Sequence, residues 1–307
     1  MSAQIKITVN GQSKEIASDQ KPTHLFQELS DVVVCRINGE LRDLWSDLAD
    51  GDVVESVSIA SEDGLNVLRH STAHVLAQAV VQLFKGAKFS IGPAIEDGFY
   101  YDFELPNSKT FSDDDLAMIQ QRMQEIVSAD QPFVRAEMSA HDALKLFSDQ
   151  PYKCEIIERV TQGDADASDA GEAGSADAVS VYRNTENFVD LCRGPHLPHA
   201  GKVGAFKLMS LAGAYWKGDS SRQQLQRLYA TAFFSQKDLD AHLKQLEEAK
   251  KRDHRLLGKQ LHLFTISPLA GSGLILWMPR GALIRGILEQ FLREELTRRG
   301  YSPVYTP

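Results

Sequence analysis

The sequence predicts a mixed α+β protein with more than one domain. Its 307 residues correspond to about two domains at roughly 150 residues each. Alternating apolar and polar residues, typical of strands, recur in the first sixty positions, and apolar residues at helical spacing begin at position 65. A hydrophobic content of 43% and a charged content of 24% are ordinary for a folded chain, so wholesale disorder is excluded.

The first sixty residues are predicted to form a small module of strands with one short helix. Ile5, Ile7 and Val9 alternate with polar residues and lead into Asn10 and Gly11, a pair that favours a hairpin turn. A short helix is predicted over 22–29, strands over 32–37 and 53–59, and a turn region over 41–48. This order is compatible with a β-grasp arrangement and equally with another small α+β module.

A second segment mixes longer helices with strands. Helical spacing predicts a long helix over 65–84, and the aromatic run 98–103 predicts a strand. Further helices are predicted over 113–128, where three aspartates occupy the first turn, and over 140–149. Strands are predicted again from 179, around a turn at Gly213.

Residues 163–178 differ in composition from the rest of the chain. They comprise six Ala, five acidic residues, three Gly and two Ser. Because this segment has no apolar face whose burial would offset the entropy lost on ordering, it is predicted to be a disordered, solvent-exposed insertion.

The final part of the chain is basic, whereas the rest is acidic. Residues 244–307 contain 11 Lys/Arg and 6 Asp/Glu, which gives a net charge of +5. Since the whole chain has a net charge of −9, residues 1–243 have a net charge of −14. A local contact with nucleic acid is thus permitted, although charge alone does not demonstrate one. We expect a polar linker helix over 236–258, an apolar strand over 274–278 and a second helix over 282–299.

Membrane and secretory signals are not found in the sequence. No uninterrupted apolar run approaches the roughly 18 residues of a membrane span, and the N-terminus lacks a basic segment followed by an apolar one. Three cysteines are too few for a disulfide framework and fit a reducing compartment. We therefore expect a cytoplasmic protein with no membrane partner.

Two short motifs supply side chains suited to catalysis. His70 and His74 are four residues apart on a predicted helix, so their imidazoles face the same side. The sequence DLCRGPH at 190–196 adds an aspartate and a cysteine on one face of a strand, and a histidine after a Gly-Pro turn. Three imidazoles and a thiol could bind a tetrahedral zinc ion, or they could activate water without a metal, since neutral imidazole is a suitable base near pH 7. Spacing does not decide between these alternatives.

Taken together, the motifs resemble those of bacterial-type threonyl-tRNA synthetases. Four of them follow the family's order and, apart from the acidic insertion, its intervals: HSTAH at 70–74, IGP at 91–93 with GFYYD at 98–102, DLCRGPH at 190–196 and GAYWKGD at 213–219. The similarity extends to the TGS domain at the front, to the entry of the catalytic domain at 251–261, and to motif 1 of class II synthetases at 281–307.

The resemblance implies a domain order. Residues 1–61 would be a β-grasp TGS domain, and residues 62–235 an α+β editing domain that includes the insertion. Residues 236–258 would be a linker helix, and residues 259–307 the truncated start of a class II catalytic domain. In the family, motifs 2 and 3, which hold ATP, lie further along the chain. We therefore expect an N-terminal fragment that cannot charge tRNA alone.

The resemblance also implies an editing reaction. Threonine and serine differ by one methyl group, worth only about 1–3 kcal/mol in a pocket, so a second site must hydrolyse mischarged seryl-tRNA(Thr). The catalytic candidates carried over by position are His70, His74, Lys153, Cys192 and His196, and the substrate-binding candidates are Tyr101 and Asp190. His70 is expected to activate or place water, Lys153 to lie near the developing charge or the terminal ribose, and Asp190 to bind the substrate amino group.

The implied partner is tRNA(Thr). No cofactor is expected in this fragment, whereas the full-length family uses ATP, magnesium and zinc through later regions. Full-length members dimerise through motif 1, and we expect weak or absent association here. Two alternatives are a free-standing alanyl-type editing hydrolase, with zinc at the His70, His74, Cys192 and His196 cluster, and a non-catalytic TGS RNA-binding module. The front module and motif 1 disfavour the first, and the complete set of pocket residues disfavours the second.

Overall fold

The mixed α+β class predicted from the sequence is confirmed by a computed structural model. The structure describes residues 3–163, 179–185, 187–267, 269–271 and 273–305. The described residues form four sheets, and the chain divides into two compact units, 1–239 and 240–307. The predicted acidic insertion falls on residues outside the described ranges, apart from Gly163. None of the described helices combines the length and apolar character needed to cross a membrane.

A five-stranded sheet organises the first module. The predicted hairpin is present, because β1 (Gln4–Val9) pairs antiparallel with β2 (Gln12–Ala17) across Asn10 and Gly11, both of which have positive φ. The other elements are α1 (Pro22–Leu25), β3 (Val32–Ile37), β4 (Glu40–Arg42) and β5 (Val53–Ser58). The strand order is β2-β1-β5-β3-β4, with β1 and β5 parallel.

The long helix α2 (Glu62–Leu83) lies at the centre of the first unit. The Ser61 hydroxyl caps it by accepting a hydrogen bond from the Gly64 N–H, and two acidic residues occupy the first turn. Residues 71–80 are all buried, so this part of the helix is covered on every side. The sequence pattern predicted only one apolar face, because small and polar residues such as Ser71 and Gln78 fill the remaining buried positions.

Two further sheets and three helices complete the first unit. Strands β6 (Lys88–Phe89), β7 (Ala94–Ile95) and β8 (Gly98–Glu104) precede α3 (Asp113–Ser128). They are followed by β9 (Val134–Met138), α4 (Ala140–Leu146), α5 (Pro151–Gln162), β10 (Val179–Thr185), β11 (Phe188–Leu191), β12 (Ala205–Tyr215) and β13 (Gln224–Phe233). One sheet has the order β12-β13-β8-β6, with β7 beside β8, and the other has the order β11-β10-β9.

Two features of this region differ from the sequence prediction. Helix α5 was not predicted, although Pro151 at its first turn and Gly163 at its left-handed C-cap mark its ends. The turn predicted at Gly213 was wrong, since this residue lies inside β12 and pairs with Gln226 of β13. A glycine inside a strand was mistaken for a turn because both positions tolerate glycine.

The predicted linker helix consists of two helices. α6 (Gln236–Lys251) and α7 (His254–Gln260) are separated at Asp253, whose carboxylate caps α7 by accepting a hydrogen bond from the Arg255 N–H. An aspartate at such a cap competes with a continuous helix. The second unit continues through β14 (Phe264–Ile266), β15 (Ile275–Trp277) and α8 (Pro279–Arg298).

Candidate active site

Helix α2 brings two histidines to one place, as the spacing predicted. The ring centroids of His70 and His74 are 5.1 Å apart, one helical turn from each other. His74 is buried, whereas His70 is half-buried. His70 is therefore the histidine of this pair that solvent can reach.

The chain after β11 supplies a cysteine and a third histidine. Cys192 follows the last residue of β11, and the next residues have no regular secondary structure. Gly194 has a φ of +76°, and a Cβ there would lie 2.0 Å from the Tyr182 hydroxyl oxygen. Only glycine therefore permits this close approach, which returns the chain so that His196 lies against Cys192.

The Cys192 thiol lies between two imidazoles. Its Sγ is 3.0 Å from His70 Nε2 and 3.3 Å from His196 Nε2. The Gly194 N–H donates to the same sulfur at 3.2 Å. The thiol and both rings thus form one continuous hydrogen-bonded row.

Ser71 holds the His196 ring in place. Its hydroxyl oxygen accepts the Leu197 N–H at 3.0 Å and lies 3.1 Å from His196 Nδ1. A serine hydroxyl has one hydrogen and two lone pairs, so it can bond to Nδ1 as donor or as acceptor, according to the tautomer of the ring. In both cases Nε2 faces Cys192.

A buried ion pair forms the second part of the site. Lys153 of α5 lies with its Nζ 2.8 Å from Asp190 Oδ1, and both side chains are fully buried. Tyr101 of β8 donates its hydroxyl to Asp190 Oδ2 at 2.6 Å and accepts from Lys153 Nζ at 3.2 Å. His74 Nε2 is 3.6 Å from Asp190 Oδ2, so His74 connects this group to the histidine row.

Burial keeps the three imidazoles neutral near pH 7. Desolvation lowers the pKa of His70 to about 4 and that of His74 to about 3, even though the Asp190 charge opposes both shifts. Desolvation likewise holds the pKa of His196 well below its ordinary value. Burial alone would raise the pKa of Asp190, but the Lys153 ammonium and the hydrogen bonds from Lys153 and Tyr101 bring it below its usual range, so the carboxylate is charged.

The donor set matches zinc chemically, but its spacing is that of hydrogen bonds. The ligand atoms of His70, His74, Cys192 and His196 all lie within 4.8 Å of one another. Tetrahedral bonds to zinc would separate a sulfur and a nitrogen donor by about 3.5 Å. The two sulfur–nitrogen distances of 3.0 and 3.3 Å are shorter, so a bound ion would have to push the thiol away from both rings.

All seven residues proposed from the sequence lie in this one site. Sequence reasoning missed four more that touch His196: Ser71, Phe133, Tyr182 and Asp43. Ser71 lies inside the HSTAH motif, so its place next to His70 on the helix was a usable signal. Asp43 gave none, because 153 positions separate it from His196.

A comparison with protein families matches the part of the chain that carries Asp190, Cys192 and His196. Residues 179–229 match the family described as the threonyl and alanyl tRNA synthetase second additional domain. These residues include β10, β11 and the DLCRGPH segment.

Relatives named threonine–tRNA ligase match almost the whole chain. The protein from Rhodopirellula baltica is 44% identical over 97% of this chain and 40% of its own length, and that from Aquifex aeolicus is 42% identical over 99% and 46%. The protein from Geobacter sp. (strain M21) is 48% identical over 89% of this chain and 40% of its own length. The chain thus spans less than half the length of these curated relatives. Over nearly all of its residues, the chain is a homologue of threonine–tRNA ligases and includes the domain that threonyl- and alanyl-tRNA synthetases share.

Proposed function

We propose that the site hydrolyses the ester of seryl-tRNA(Thr), an editing reaction of a threonine–tRNA ligase. The observation that carries the proposal is the half-buried, neutral His70, 3.0 Å from the Cys192 thiol and joined through His74 to a buried Lys153–Asp190 pair. A solvent-accessible base beside a fixed cation is an arrangement suited to water attack on an ester.

His70 is the proposed base. Its ring is neutral at pH 7, and the lone pair of Nε2, which faces the Cys192 thiol at 3.0 Å, would accept a proton from a water that takes the place of the thiol at this nitrogen and attacks the ester carbonyl. The other two imidazoles are buried, and Ser71 restrains His196. They are better placed to orient the thiol and His70 than to reach water.

Lys153 is the proposed electrostatic group. Attack on the carbonyl produces a negatively charged tetrahedral intermediate, which a fixed ammonium stabilises more strongly in a buried site than in water. The ribose 3′ oxygen then leaves and takes up the proton that His70 accepted from water. Asp190 and Tyr101 hold the ammonium in place through the contacts of 2.8 and 3.2 Å.

We propose two roles for Asp190, one from the family resemblance and one from the geometry. The family resemblance suggests that it binds the substrate amino group. The geometry supports a positioning role, because the carboxylate is fully buried and its oxygens already contact Lys153 and Tyr101.

Zinc-dependent hydrolysis is the second candidate, favoured by the grouping of four donors within 4.8 Å. His70, His74, Cys192 and His196 would supply the ligands, and the ion would lower the pKa of a bound water if three of them held it and left the fourth position to the water. We favour the metal-free reaction because the thiol lies at hydrogen-bond distances from two rings. Metal analysis of the purified chain distinguishes the two: stoichiometric zinc that is lost in His74→Ala supports the second candidate.

The remaining assignments are part of the same proposal. The five-stranded first module is proposed to be a TGS domain of the β-grasp type, and the second unit to belong to a class II catalytic domain. The proposed partner is tRNA(Thr), the proposed location is cytoplasmic, and dimerisation of the complete ligase is proposed to involve α8.

Substrate discrimination tests the proposal. The 307-residue chain is incubated with seryl-tRNA(Thr) and with threonyl-tRNA(Thr), and loss of each ester is followed without ATP. We expect hydrolysis of the seryl ester and sparing of the threonyl ester. His141→Ala, in the exposed first turn of α4, is the matched control and should leave both rates unchanged. Equal hydrolysis of both esters, or of neither, would contradict the proposal.

A further inference from the structure

Asp43, a residue of the first module, reaches the candidate active site. It follows β4, and only 9% of its surface is exposed. Its Oδ1 accepts the His196 main-chain N–H at 2.9 Å, and its Oδ2 accepts the Tyr182 hydroxyl at 2.5 Å. One carboxylate therefore holds two groups that lie 139 and 153 positions further along the chain.

These two contacts fix the segment that carries His196. The segment has no regular secondary structure, so no strand or helix ladder holds its main chain. The Tyr182 ring packs edge-on against His196, with ring centroids 4.3 Å apart, and its hydroxyl lies where a side chain at Gly194 would be. Asp43 orients this hydroxyl and holds the His196 N–H at the same time.

The His196 ring has two further contacts. Phe133 stacks on it, with ring centroids 4.9 Å apart, and Ser71 bonds to Nδ1. Its Nε2 is then directed at the Cys192 thiol, which in turn lies beside His70. A shift of the main chain at His196 would therefore be transmitted through the thiol to the proposed base.

We propose that Asp43 is a positioning residue of the hydrolytic site, through which the first module holds His196 in register with Cys192 and His70. The inference rests on the proposed hydrolytic function. It goes further because it makes the first module a structural part of the site.

Removal of the carboxylate tests the proposal. In Asp43→Ala, both acceptors are lost, and a misplacement on the order of 1 Å costs up to about a hundredfold in rate. We expect the single-turnover rate of seryl-tRNA(Thr) hydrolysis to fall about tenfold or more. The protein concentration that gives half of the maximal rate should not change. The matched control is Asp47→Ala, which removes a carboxylate of the same module that is 96% exposed and pairs with Lys21.

Two further variants keep the test decisive if Asp43→Ala folds poorly. Tyr182→Phe removes one of the two contacts and retains the ring against His196, so it should slow hydrolysis to a smaller extent. Asp43→Asn can still accept from the His196 N–H and should restore most of the rate. Adding Asp43→Ala to His196→Ala should cause no additional slowing, because both changes act through the same residue.

A spectroscopic readout separates this inference from the proposed function. The ring nitrogen and main-chain amide resonances of His196 should shift in Asp43→Ala and remain in place in Asp47→Ala. If the wild-type chain does not hydrolyse the ester, the hydrolytic function fails, but these resonances still test the contact. Wild-type rates in folded Asp43→Ala and Tyr182→Phe, or unshifted His196 resonances, would overturn the proposal.

Discussion

At the residue scale, the Ser71 hydroxyl holds two parts of the candidate active site together. It connects the Leu197 N–H to His196 Nδ1, and both groups are buried. A buried polar group that loses its partner costs about 1–3 kcal/mol. We therefore expect Ser71→Ala to lower the free energy of unfolding by about that amount and to slow hydrolysis, measured by urea denaturation and single-turnover kinetics. Ser128→Ala, on the exposed end of α3, is the control, and equal effects of the two changes would contradict this role.

The buried histidines make stability depend on pH. Burial lowers the pKa of His74 to about 3, below its unfolded value near 6.5, so the unfolded chain binds protons that the folded chain excludes. Stability is therefore complete above about pH 6.5 and falls as the pH drops towards the folded pKa, by about 1.4 kcal/mol per pH unit for each such histidine. His74→Gln should reduce this slope in a series of denaturation experiments between pH 7 and 4. An unchanged slope in His74→Gln would show that His74 does not titrate in this way.

At the scale of the elements, the segment between β11 and His196 depends on Gly194. Gly194 and Gly163 have nearly the same φ, +76° and +78°, but a Cβ at Gly194 would clash with Tyr182, whereas no atom of the residues that the structure describes lies within 4 Å of a Cβ at Gly163. Alanine therefore introduces similar backbone strain at both positions, and a clash at one. We expect Gly194→Ala to be the more destabilising in thermal denaturation and, unlike Gly163→Ala, to slow hydrolysis. Equal effects would mean that strain alone matters.

Helix α8 exposes apolar side chains that favour association. Leu283, Ile287, Leu288 and Phe291 are each more than half exposed within the second unit. A patch of this kind commonly marks a contact surface. Sedimentation equilibrium should show concentration-dependent association that Phe291→Glu weakens. Gln290→Glu, which adds the same charge at a polar position of the helix, should not weaken it. A monomer at every concentration tested would contradict this expectation.

The elements differ in how far the sequence could predict them. Helix α2 and its histidine pair follow from local periodicity, and α3 was predicted with both ends as observed. Helix α5, which carries Lys153, was missed although Pro151 and Gly163 mark its ends, because only four residues separate it from α4. The residues of the site could be named from motifs, but their contacts depend on strand pairing that spacing does not specify.

At the scale of the whole molecule, the site depends on residues that are distant in the sequence. His70 and Cys192 are 122 positions apart, and Asp43 and His196 are 153 apart. Their proximity is produced by packing around the buried helix α2. No local pattern could reveal that the first module contacts the site, because Asp43 occurs in an ordinary polar stretch. The comparisons support the identity of the site's domain, and the geometry supports how its residues act together.

The most direct test of the proposed mechanism is single-turnover hydrolysis of seryl-tRNA(Thr) at saturating protein, with wild type compared with His70→Ala. Saturation removes differences in tRNA binding, so the rate reports the chemical step. General-base catalysis contributes about 10²–10⁴-fold, so we expect His70→Ala to be slower by at least about a hundredfold, with His141→Ala at the wild-type rate. Equal rates for wild type and His70→Ala would contradict the assignment of His70 as the base that activates water.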